Sequence, residues 1–72
     1  MTQQDIAELI RVKCDERDWD KLDLELLSGL SASKVEALFS GKCRIHQVEA
    51  NALSQVFMRP AQFWLNLQAM VE

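Results

Sequence analysis

Histidine is nearly missing from these 72 residues, glycine and proline are scarce, and no long apolar run occurs. His46 is the only histidine, and Cys14 and Cys43 stand too far apart for a CxxC motif. A metal site needs three or four ligands, so no metal and no other cofactor is expected. The two thiols are expected to be reduced and partly buried, with no disulfide. No serine, cysteine or carboxylate holds a recognisable catalytic spacing to the single histidine, and so short a chain leaves little room for a pocket. An enzyme is therefore not expected. No apolar stretch approaches the roughly 20 residues that cross a bilayer, and the N-terminus lacks a basic-then-apolar signal pattern. The expectation is a soluble, cytoplasmic protein with no membrane partner. Basic charge is short too: eight Lys and Arg face eleven Asp and Glu, for a net charge of −3, which does not advertise a nucleic-acid binder.

What remains is a globular composition, 49% apolar and 26% charged, that reads as one domain with no repeat, linker or low-complexity segment. A chain of this size hides only about 60% of its unfolded surface on folding, so a lone monomer is expected to be marginal. The charge is unevenly placed. Residues 1–25 hold eight acids against Arg11, Lys13, Arg17 and Lys21, a balance of −4. Residues 26–72 hold Glu36, Glu49 and Glu72 against Lys34, Lys42, Arg44 and Arg59, a balance of +1. An anion-binding face is thus expected in the middle of the chain.

Five helices are expected, over residues 3–16, 20–28, 31–40, 46–57 and 60–71, an all-α fold. Thr2-Gln3-Gln4-Asp5 has the spacing of a capping box, and Ile6, Leu9, Ile10 and Cys14 follow on one helical stripe. Leu22, Leu24 and Leu26 alternate with Asp23 and Glu25 as in a strand. Leucine, glutamate and lysine are nevertheless better helix formers than strand formers, Asp20 offers a cap, and Ser28-Gly29 offers a stop. Ser31 can cap a third helix carrying Val35, Leu38 and Phe39, closed by Gly41. The fourth carries Ala50, Leu53, Val56 and Phe57 behind His46, a weak cap, with Glu49 where a capping-box acid belongs. Arg59-Pro60 opens the fifth, whose apolar face is Phe63, Trp64, Leu67, Met70 and Val71.

The turn Leu27-Ser28-Gly29-Leu30-Ser31 suits a helix-turn-helix. Glycine takes the left-handed conformation at a helix end without a Cβ penalty, Leu30 plugs the junction and Ser31 caps the next helix. Gly29-Leu30-Ser31, Val35, Leu38, Gly41-Lys42, Ile45, Leu53, Phe57 and the ending Phe63-Trp64-Leu65-Asn66-Leu67-Gln68 fall together in a pattern. Over roughly residues 20–68 that pattern resembles the helix-turn-helix domain of HigA-type antitoxins, within the phage-repressor-like (XRE) transcriptional regulators. The ending is the specific part of the match; the apolar positions belong to many helical domains.

The resemblance implies a five-helix, lambda-repressor-like fold, binding of double-stranded operator DNA as a homodimer, autorepression, and neutralisation of a toxin partner, here expected to be basic. Residues 31–40 then form the recognition helix. Ser31, Ala32, Ser33, Lys34 and Ala37 would face bases, Ser40, Lys42 and Arg44 would hold phosphates, and Lys21 would touch the DNA backbone. Phe63, Trp64, Leu67 and Met70 would serve core, dimer or partner packing. Asn66 and Gln68 are expected to be exposed.

Several residues depart from the family pattern. Ala32, Ser33 and Ala37 stand where relatives often carry glutamine, arginine or asparagine, which leaves few bidentate base contacts. Glu25 replaces a small residue, Met58 replaces the glycine that ends the fourth helix, and Pro60 comes one residue early. Ser28 replaces an apolar residue, so Leu26 and Leu27 are expected to carry more of the core. These short side chains, together with the acidic first third, support an alternative reading. In it the same fold works as a protein-interaction module, binding a toxin or another partner, with weak or lost DNA binding.

Overall fold

The computed structural model describes residues 1–71. It is all-α, with five helices: α1 (Gln3–Asp15), α2 (Lys21–Ser28), α3 (Ala32–Ser40), α4 (Gln47–Phe57) and α5 (Ala61–Val71). None of them is long and apolar enough to cross a membrane.

Local chemistry explains where each helix starts and stops. Thr2 and Asp5 form the capping box of α1, each side chain accepting a hydrogen bond from the other's backbone N–H, at 2.8 and 3.2 Å. The chain leaves α1 through Asp18, at φ 56, and the Trp19 N–H donates back to the Cys14 carbonyl at 2.9 Å. Aspartate visits the left-handed region more readily than most residues. Asp20 and Asp23 repeat the capping box on α2 at 2.9 and 3.0 Å. This settles the ambiguous leucine run as helix. Gly29, at φ 76, ends α2 by donating to the Glu25 carbonyl, and Ser31 Oγ accepts the Lys34 N–H to begin α3. Met58 ends α4 in the left-handed region without glycine's freedom, at φ 58, with its side chain in solvent. The Pro60 carbonyl accepts the Phe63 N–H at 2.9 Å and sets the first turn of α5.

The core collects Ile6, Ile10 and Cys14 of α1, Leu24 of α2, Val35 and Leu38 of α3, Ile45, Leu53 and Phe57, and Trp64 of α5. Trp19, Phe57, Trp64 and Phe63 form an aromatic chain with successive ring centroids 5.9, 5.8 and 5.2 Å apart. Helix α5 packs on α4 and α1, while α3 packs on α1 and α2. Trp64 is 0% exposed, which makes it core within one chain and not a dimer surface.

Three expectations need correction. Leu26 and Leu27 do not reinforce the core; they are 74% and 53% exposed. Positions 24 and 28 share a helical face, so Leu24 and Ser28 turn inward, and Leu22 and Leu26 share the face that does not. Ser28 Oγ accepts the Leu30 N–H at 3.2 Å, so the residue that lacks an apolar side chain closes the turn instead. Gln68, expected in solvent, is buried. It lies one turn beyond Trp64 on the same helical face. Met70, expected on the apolar face of α5, is exposed, while Phe63 and Leu67 are half-buried.

Candidate nucleic-acid interface

Helices α2 and α3 are joined by a short turn through Gly29 and Leu30, and Leu30 packs against the core. Beyond α3 the chain runs through residues 41–46 before α4 begins. The first residues of α3, Ala37, and this connection enclose one groove of about 510 Å³. It is lined by Ser31, Ser33, Lys34, Ala37, Lys42, Cys43, Arg44 and His46. Six of the nine residues expected at a DNA interface therefore meet in one place. The N-terminus of α3 adds the partial positive charge of a helix start.

The other three lie elsewhere. Ala32 is exposed at the start of α3 but does not line the groove. The Ser40 hydroxyl donates to the Ala37 carbonyl at 3.2 Å, so its proton is engaged within α3. Lys21 forms an ion pair with Glu36, an exposed acid of α3, and lies 5.9 Å from the centre of the Phe39 ring. Its surroundings are a different recess, of about 720 Å³, lined by Glu8, Arg11, Val12, Trp19 and Leu22 among others.

Lys34 is in the groove, yet its charge is tied inward. Its Nζ lies 2.9 Å from Oε2 of Glu49, a residue only 3% exposed. The other carboxylate oxygen of Glu49 accepts the His46 N–H at 2.8 Å, so the capping acid foreseen for α4 also anchors α3. Burial pushes the Glu49 carboxyl up, but the Lys34 ammonium and the backbone N–H groups of His46 and Glu49 outweigh it. The net result is a carboxyl held below its usual range. The hydrogen bond to Glu49 in turn holds the Lys34 ammonium above its usual value. Cys43, half-buried beside Lys34, has its thiol pushed up by burial, against the pull of that ammonium.

Side chains from distant helices hold the connection. The Ile45 N–H donates to Gln68 Oε1 at 2.7 Å, and Gln3 Nε2 donates to the Cys43 carbonyl at 3.0 Å. Gln4 Nε2 donates to the Ser40 carbonyl at 2.7 Å, and Arg11 donates to the Phe39 carbonyl. None of these four side chains was singled out for the site from sequence. The available signal was positional: Gln68 interrupts the apolar face of α5 one turn after Trp64, where a polar residue needs a partner.

Among the described residues, no group of three or more His, Cys, Asp or Glu side chains is placed to hold a metal ion. Comparison with family models, with curated proteins and with solved structures gives no match for this chain. The likeness to HigA-type antitoxins therefore rests on the residues quoted above.

Proposed function

We propose that this chain is a DNA-binding transcriptional regulator of helix-turn-helix type, acting as a homodimer on a palindromic operator. The observation that carries the reading is the single groove in which Ser31, Ser33, Lys34, Ala37, Lys42 and Arg44 meet at the start of α3. Hydroxyls at the helix start suit base edges, an alanine suits a thymine methyl, and the loop cations suit phosphates. Lys34 has a different part in this reading: it braces α3 against α4 through Glu49 and adds positive potential without leaving the protein. In the dimer the two α3 helices stand about one turn of DNA apart, roughly 34 Å. The half-buried Phe63 and Leu67 and the exposed Met70 give α5 a surface for pairing.

The test is a mobility shift on the promoter of the chain's own gene at two salt concentrations. Retardation that resists competitor DNA supports the reading; no retardation at low salt sinks it. A second reading, a partner-binding module of antitoxin type, is favoured by Leu22, Leu26 and Leu27, three leucines of one short helix left in solvent. Co-expression with the product of an adjacent toxin-like gene tests it. Failure to rescue growth counts against it.

A further inference from the structure

A short polar chain crosses the protein from α1 to α5 and ends on the connection that carries Lys42 and Arg44. Gln68 is 6% exposed. Its Oε1 accepts the Ile45 N–H at 2.7 Å, and its Nε2 donates to Gln3 Oε1 at 2.9 Å. Gln3 Nε2 then donates to the Cys43 carbonyl at 3.0 Å. Both amides thus have their oxygen and nitrogen ends assigned by their partners. Reversing Gln68 would set its NH₂ against the Ile45 N–H, two donors facing each other.

The residues tied in this way are separated by 23, 65 and 40 positions in the chain. Local structure holds only the near end of the segment, where the Lys42 N–H donates to the Ala37 carbonyl at 2.9 Å; the N–H groups of Ile45 and His46 find side-chain acceptors. Lys42 and Arg44 alternate with Cys43 and Ile45, the two residues whose backbone the glutamines hold. Whatever fixes Cys43 and Ile45 also fixes where the two cations stand relative to the α3 N-terminus. An amide suits this task better than an apolar side chain would, since burial without a partner would leave the Ile45 N–H unsatisfied.

We infer that Gln68 and Gln3 are positioning residues. They hold the 42–45 segment so that Lys42 and Arg44 present their charges at a set distance from Ser31 and Ser33. The inference rests on the DNA-binding reading for its consequence, but not for its geometry. It assigns to the end of α5 a role in the interface, although no residue of α5 lines the groove.

The experiment uses the full chain with Gln68→Met, close in length and unable to form either bond, and Gln3→Met, a half-buried position that spares the core. Amide hydrogen exchange reads the segment, and mobility shifts across a salt series read DNA binding. In Gln68→Met the Ile45 N–H loses its acceptor and is expected to exchange roughly 100-fold faster. In Gln3→Met, which frees Gln68 and the Cys43 carbonyl but leaves that acceptor in place, the factor is smaller. The Leu24 and Leu53 amides keep their protection in both. Operator affinity is expected to fall roughly tenfold, and the slope of log affinity against log salt to shrink by about two, the equivalent of two lost phosphate contacts. A purely structural role would weaken binding only through the folded fraction and leave that slope unchanged. Unchanged Ile45 exchange in Gln68→Met overturns the inference, as does an unchanged affinity and slope beside an opened segment. If the wild-type chain retards no DNA at low salt, the DNA-binding reading fails by itself. Ile45 exchange then decides alone whether the two glutamines hold the segment.

Discussion

Lys34 Nζ lies 2.9 Å from Glu49 Oε2, which joins the first turn of the expected recognition helix to a buried acid in the first turn of α4. Removing either partner has unequal consequences. Lys34→Met leaves a carboxylate in a nearly closed site without its cation, whereas Glu49→Gln keeps an oxygen for the His46 N–H and leaves the lysine able to reach water. Thermal unfolding is expected to show the larger loss for Lys34→Met. Glu49→Ala, which also removes the cap of α4, is expected to cost on the order of 1 kcal/mol from that cap. Equal melting temperatures for Lys34→Met and the wild type would contradict the bracing role.

The same pair sets a pH dependence whose sign is determined. The Glu49 carboxyl titrates below its usual value of 4.5 in the folded protein. Its stabilising contribution is therefore full above pH 4.5 and is lost as the pH falls through the lower folded value. Lys34 is raised above 10.5, so its share persists through neutral pH and fades only in strong alkali. Stability measured between pH 6 and pH 3 should fall less steeply in Glu49→Gln than in the wild type. Parallel curves would remove Glu49 from the acid response.

The two glycines make a matched comparison. Both sit in the left-handed region, Gly29 at φ 76 and Gly41 at φ 78. A Cβ on Gly29 meets nothing within 4 Å, whereas one on Gly41 would lie 2.5 Å from Gln4 Nε2. Gly29→Ala is expected to cost about 1–2 kcal/mol, the strain of an L side chain at positive φ. Gly41→Ala adds the displacement of Gln4 and its bond to the Ser40 carbonyl, about 1 kcal/mol more. In the background Gln4→Ala, denaturant unfolding should give both substitutions the same cost. A gap that persists there would locate the extra strain elsewhere.

Thiol chemistry reads the core directly. Burial pushes the Cys14 thiol up to about 11, and it packs inside α1 with almost no exposure. Cys43 is half-buried at the groove, and its Sγ donates to the Arg44 carbonyl at 3.2 Å. Alkylation of the native protein at pH 8 should modify Cys43 first, with Cys14 reacting only after denaturant is added. Peptide mass analysis of a time course separates the two. Cys14 reacting as fast as Cys43 would be inconsistent with the packing of α1.

Helix starts were the most legible part of the fold, because they depend on neighbours in sequence. Thr2 with Asp5, Asp20 with Asp23, and Ser31 each form the cap their spacing implied. Burial along α2 was harder to read. Three leucines at alternating positions do not say which one faces inward, and the packing of α3 and α4 chose Leu24. The polar interior was harder still. Gln68 and Gln3 look like ordinary surface residues in a one-dimensional chain, and Glu49 is legible there only as the cap of α4. Contacts between distant segments give the two glutamines their partners and give Glu49 its lysine. The candidate site divides along the same line. Ser31, Ser33, Lys42 and Arg44 all lie within the one stretch 31–44, at the start of α3 and just past its end, and meet in one groove, whereas Lys21, on α2, pairs with Glu36.

Lys42 is the sharpest probe of the proposed function. It is exposed, lies just beyond the Gly41 cap, and lines the groove with Arg44. Its side chain has no place in the core, so Lys42→Glu should leave the melting temperature nearly unchanged, as surface substitutions usually do within about 0.5 kcal/mol. If the residue holds a phosphate, the charge reversal weakens binding to specific and non-specific DNA alike and lowers the salt slope by about one. Ser33→Ala, by contrast, should weaken the operator complex and leave non-specific binding unchanged, because a base contact carries sequence information and a phosphate contact does not. The two variants measured side by side across a salt series separate positioning from readout. Should Lys42→Glu match the wild type on both DNAs at every salt concentration, the groove is not where phosphates bind.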